Sequence, residues 1–147
     1  MTTSNSGATL VNAIATRGDS TTVAFAIRAA SVVFVAALTA AAAQVSVPLP
    51  FTQVPLTLQP MVVLLGGLAL GGRLGLASQV LYLAAGIVGL PVFAASITLP
   101  PGALRLLGPT GGYLMSYPFA AFLSGYLAED RKSTRLNSSH GYISYAV

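Results

Sequence analysis

Residues 23–43 read VAFAIRAASVVFVAALTAAAA. Arg28 is the one charge in this run, and no proline breaks it. As a helix rising 1.5 Å per residue, the run is about 31 Å long, close to the hydrocarbon thickness of about 30 Å. Arg28 lies roughly one turn inside an end, where its aliphatic stem lets the guanidinium snorkel to the headgroups.

The residues that follow are apolar for a loop: Gln44-Val-Ser-Val-Pro-Leu-Pro-Phe-Thr-Gln-Val-Pro55. Pro48, Pro50 and Pro55 remove backbone donors and push the residues before them toward extended conformations, so an ordered loop is expected. A second helix is expected over 57–72, with Thr57 as N-cap and Pro60 in its first turn. At about 24 Å it is short for a span and needs neighbours or a thinned bilayer. Gly71-Gly72-Arg73 reads as a tight turn into a third helix over 74–90, stopped by Pro91. An irregular segment over 92–107 leads to Gly108-Pro-Thr-Gly-Gly-Tyr113, which opens a fourth helix over 111–128 with a kink expected at Pro118. Residues 1–22 are mostly small and polar and read as a mobile cytoplasmic leader.

The expected fold is therefore all-α, a polytopic membrane helix bundle with four transmembrane helices in residues 23–128. Composition agrees. Hydrophobic residues make up 54% of the chain and charged residues 7%, where a soluble domain carries about 25% charge. Too little charge is present to cover a water-facing surface. The net charge of +4 arises mainly beyond Asp130, at Arg131, Lys132 and Arg135, so no basic face for nucleic acid exists. Loop 44–55 lacks Lys and Arg, whereas Arg17, Arg73, Arg131 and Lys132 lie at the other side of the expected topology. The positive-inside rule then puts the N-terminus in the cytoplasm, with Arg105 the exception on the outer side.

Enzyme chemistry lacks its parts. Asp19, Glu129 and Asp130 flank the apolar region, His140 lies in the tail, and there is no cysteine. No triad, two-carboxylate pair or metal site is expected. Two readings stand for 108–113: a capped, closely packed helix start at Thr110, or a binding loop in which Gly111 and Gly112 admit a ligand to free amides. Arg105 either pairs with a ligand carboxylate or snorkels at the interface. Tyr82, Tyr113 and Tyr117 offer hydroxyls, or act as interface anchors and packed groups. The pairs Ala36/Ala40 and Ala37/Ala41, and Gly67/Gly71, have the small-xxx-small spacing that lets helices approach closely, within the chain or against a partner.

Three stretches in order carry a family resemblance: Gln44-Val-Ser-Val-Pro-Leu-Pro-Phe-Thr-Gln-Val-Pro-Leu-Thr-Leu-Gln59, Gly89-Leu-Pro-Val-Phe-Ala94 and Leu107-Gly-Pro-Thr-Gly-Gly-Tyr113. Together they resemble the BioY family, the biotin-binding S subunits of energy-coupling factor (ECF) transporters, over residues 30–128. The resemblance implies a six-helix bundle in the bacterial cell membrane that takes biotin from outside and performs no catalysis. It implies no cofactor of its own, with ATP used by a partner ATPase pair, and a transmembrane coupling subunit docked on Ala36, Ala37, Ala40 and Ala41. The expected ligand residues are Gln53, Thr57, Arg105, Thr110, Gly111, Gly112 and Tyr113. An S subunit for another small vitamin, or a structural or assembly membrane protein, are the alternatives. Residues 131–147 depart from the family and resemble translated sequencing-adapter read-through. They are expected to be non-native, leaving four helices of six.

Overall fold

The structure, a computed structural model, describes residues 10–11, 21–47, 49–52, 55–94, 100 and 102–143, with side chains as far as Arg131. Four long helices run antiparallel: α1 (Thr21–Gln44), α2 (Gln59–Leu70), α3 (Gly72–Ile87) and α4 (Gly111–Ile143), with a short 3-10 helix at Ala103–Leu107 before the last. α2 and α3 form the centre. α4 packs on both from one side, and α1 packs on both from the other.

The distribution of side chains is that of a bundle in lipid. Phe25, Phe34, Leu65, Leu68, Phe119 and Leu123 project outward, while Thr39, Gln59, Ser78, Gln79 and Arg105 are buried. Water would favour the opposite arrangement, because so broad an apolar surface is rare on a soluble monomer. Among the described residues, α1 is the one helix long and apolar enough to cross a bilayer by itself, and α2 is a shorter apolar helix.

The expected loop 44–55 leaves and returns as a two-stranded antiparallel ribbon, β1 (Ser46–Val47) and β2 (Leu56–Thr57), with Ser46 opposite Thr57 and Val47 opposite Leu56. This corrects the start of the second helix. Thr57 is held in the ladder and caps nothing, and α2 begins at Gln59 with Pro60 in its first turn. Its 12 residues span about 18 Å, less than expected. α2 stops at Gly71, whose φ of 87° favours glycine. α3 starts at once and ends at Ile87, three residues early, because Gly89 turns the chain at φ 105° before Pro91 is reached. α4 runs on past residue 128, where it was expected to end, to Ile143, since nothing in 131–140 breaks a helix. Pro118 is buried inside it without interrupting it. The leader is not wholly detached: Val11 is buried against Val35 and Leu70.

Three helix backbones meet where α2, α3 and α4 cross. A Cβ at Gly75 would lie 2.9 Å from the Gly67 Cα, and one at Gly125 would lie 2.6 Å from the Gly67 carbonyl oxygen. A Cβ at Gly67 would strike the Ala121 carbonyl. Close approach of this kind replaces the hydrophobic drive that lipid does not supply between helices. α1 is tied to α3 by polar groups instead. Gln79 donates to Thr39 (3.2 Å) and Ser78 (3.3 Å), whose hydroxyls donate to the Val35 and Gly75 carbonyls.

Candidate functional site

The ends of α1 and α3 and the starts of α2 and α4 lie at one end of the bundle, and the conspicuous motifs converge there. The segment Pro91–Ala94 forms a strap in which four successive carbonyls accept side-chain hydrogen bonds. Gln44 at the end of α1 donates to Pro91 (3.2 Å) and Phe93 (3.5 Å), Tyr82 of α3 donates to Val92 (3.2 Å), and Arg105 donates to Ala94. The Phe93 ring drops into the space left by the missing side chain of Gly86 and meets Tyr82 edge to face at 5.5 Å and 81°. A proline-stiffened strap without its own ladder thus has its polar backbone satisfied by three separate elements.

A directed relay runs from the strap to the ribbon. The Val92 carbonyl can only accept, so the Tyr82 hydroxyl donates to it. Tyr82 then receives a bond from the Gln59 amide at 2.6 Å, which turns the Gln59 carbonyl oxygen toward Thr57. The Thr57 hydroxyl donates to that oxygen at 3.1 Å. Each proton in the series is fixed by the next acceptor, and the Thr57 oxygen retains lone pairs but no free proton. Beside it lies the Tyr117 hydroxyl of α4, facing Thr57 and Tyr113. Tyr117 is 2% exposed, and the Thr57 and Tyr113 hydroxyls are its polar neighbours. Tyr113 covers it edge to face at 5.2 Å and 67° and is itself half-exposed.

The structure brings most of the expected ligand residues to this end and divides their roles. Arg105 is buried on the 3-10 helix. Thr110 is half-buried just ahead of α4, and its carbonyl accepts from Leu114 at 3.0 Å, as an N-cap residue does. Gly111 packs on the Leu106 carbonyl with no space for a Cβ, which gives it a structural role, whereas a Cβ at Gly112 meets nothing within 4 Å. Gln53 lies outside the described residues. Gln59, Tyr82 and Tyr117 join the site as the buried polar core around which the others sit. Gln59 had a visible signal, an amide at the mouth of an apolar run, but its partner depends on which helix faces it.

The four alanines expected to dock a partner separate by face. Ala36 is buried in the bundle core and Ala40 packs against that core, while Ala37 and Ala41 are exposed. No group of three or more metal-ligating side chains occurs among the described residues.

Fold and site together define a membrane helix bundle with buried polar side chains converging at one end. Comparison with known proteins gives the family. The BioY family model matches residues 11–147, and the chain belongs to that family. It is 47% identical over 94 residues to the probable biotin transporter BioY of Lysinibacillus sphaericus, covering 64% of this chain and 45% of that one. It is 46% identical over 89 residues to the probable biotin transporter BioY of Pyrococcus horikoshii, covering 60% and 52%. A solved structure, the S-component for biotin from an ECF-type ABC transporter, superposes with a TM-score of 0.66 at 31% identity, covering 74% of this chain and 56% of that one. The chain spans about half the length of the curated relatives it matches.

Proposed function

We propose that the chain serves biotin uptake as the substrate-binding membrane subunit of an ECF-type transporter. The observation that carries this reading is the convergence of Thr57, Gln59, Tyr82, Arg105 and Tyr117 at one end of a bundle of this family. Biotin has an apolar body, a ring urea and a carboxylate. A site for it needs apolar walls, paired hydrogen-bonding groups and a cation, and those are the groups gathered here. Chemistry at the site would be binding alone, with no cofactor held by this chain.

The orientation follows from charge. Arg28, Arg73 and Arg131 lie toward the end opposite the site, so the positive-inside rule places that end and the N-terminus in the cytoplasm and the site outside. The lengths of the relatives support two further helices completing a bundle of six. Partners are a transmembrane coupling subunit and two ATPases, which use ATP to drive release of biotin inward.

Docking to the coupling subunit falls to the exposed half of the alanine pattern, Ala37 and Ala41. Ala37→Phe is expected to abolish co-purification with the coupling subunit and to reduce biotin uptake at least tenfold, with biotin binding retained. Ala36→Phe is expected to fail earlier, as lost folded protein, because a ring there enters the core and overpacking is destabilising. Normal assembly and uptake by Ala37→Phe would remove that face from the interface.

A further inference from the structure

We propose that a groove between α1 and α2, at the end of the bundle opposite the strap, holds one anionic phospholipid, with an acyl chain along the groove and the headgroup phosphate at Arg28 and Arg73. The groove has a volume of about 520 Å³, within the range of sites that hold small ligands. Its floor is the contact of Val35 with Gly66, where an added Cβ would lie 2.6 Å from the Val35 side chain. Its rims are Phe34, Leu38 and Leu65, all exposed. Ser31 is the one polar side chain in the lining, and its hydroxyl is committed to the Ile27 carbonyl at 2.8 Å. The walls therefore ask for an occupant that is apolar along its whole length.

Length and charge together select a lipid. The groove runs from Ile27 to Leu38 on α1, about 16 Å at 1.5 Å per residue. One leaflet of a hydrocarbon core of about 30 Å is about 15 Å deep. On α2 the groove runs between Val62 and Leu70 in the opposite direction, so Ile27 and Leu70 mark the same end. Arg28 follows Ile27 directly, and Arg73 lies just past Leu70 in the first turn of α3. Both arginines are exposed. Two cations thus stand where the apolar slot reaches headgroup level, and a lipid phosphate complements them. Among the described residues no carboxylate lies on α1, α2 or α3, because Glu129 and Asp130 are on α4. A partner helix fits the slot less well, since helix backbones approach over small residues and this slot is rimmed by a phenylalanine and two leucines. Val11 of the leader packs on Val35 and Leu70 without lining the groove.

The test places the complete gene product in nanodiscs of equimolar phosphatidylglycerol and phosphatidylcholine and identifies the phospholipid it retains by native mass spectrometry. One phosphatidylglycerol per protein is expected, in preference to phosphatidylcholine. Arg28→Gln and Arg73→Gln are each expected to lower that preference roughly fivefold, the effect of one surface arginine on an anionic lipid. Ala30→Phe puts a ring into the groove from an exposed position of α1 and leaves both arginines in place. It is expected to remove both lipids while the size-exclusion profile stays that of the unsubstituted protein. Equal retention of the two lipids by the unsubstituted protein, or retention of neither, would overturn the proposal. A preference unchanged by either arginine substitution would do the same, and so would phosphatidylglycerol retained in full by Ala30→Phe. Biotin enters none of these measurements, so the lipid site stands or falls apart from the proposed function.

Discussion

Gly125→Leu is expected to abolish the folded bundle. The added side chain would begin 2.6 Å from the Gly67 carbonyl oxygen and against the backbone of Gly71 and Gly72. Those neighbours are backbone atoms of two other helices and cannot rotate away, so the helices must separate. Overpacking in a close-packed core typically costs about 1–3 kcal/mol where side chains can adjust, and this site belongs at or beyond the upper end of that range. Gly67→Val, which drives a branched side chain into Ala121, is expected to behave alike. Leu123→Ala, on the exposed face of the same helix, is the comparison and is expected to melt close to the unsubstituted protein. Size-exclusion profiles and thermal melts in detergent read the difference. A monodisperse, normally melting Gly125→Leu protein would show that α2, α3 and α4 do not cross as described.

Arg105→Ala is expected to weaken biotin by roughly ten- to a hundredfold and biotin amide far less. A charge-assisted hydrogen bond contributes about 1.5–3 kcal/mol, which corresponds to that range of affinity. The pair of ligands is needed because Arg105 also donates to the Ala94 carbonyl and so helps to hold the strap. Loss of the strap would lower affinity for both ligands together. Loss of a carboxylate partner lowers it for biotin alone, so the preference for biotin over its amide shrinks. Equal loss for both would confine Arg105 to the strap, and no loss for either would return it to the snorkelling role of an interfacial arginine.

The sequence makes the membrane bundle legible because 23–43 is apolar for the length of a bilayer and charge is scarce throughout. Helix ends were less legible for reasons that lie in tertiary pairing. Thr57 has the chemistry of an N-cap, but its backbone is taken by Ser46 across the ribbon. Gly89 ends α3 before Pro91, since a residue at positive φ leaves the helix as surely as a missing donor. The face of α1 could not be read at all. The helix is apolar nearly all round, and Ser31 and Thr39, the two polar residues in its middle, are too sparse a signal to separate Ala36, in the core, from Ala37, on the surface. At the site, the motifs located Arg105, Thr110 and Tyr113, but the relay joining Thr57, Gln59, Tyr82 and Val92 draws on β2, α2, α3 and the strap. Spacing along the chain holds no record of that convergence. The place of the Tyr117 hydroxyl beside Thr57 is visible only once its neighbours are set.

Equilibrium binding of radiolabelled biotin to the complete gene product in nanodiscs tests the central claim most directly. The account predicts saturable, one-site binding that unlabelled biotin displaces and that thiamine or riboflavin at the same concentrations does not. Absence of saturable binding, or displacement by another vitamin at lower concentration than biotin, would contradict it.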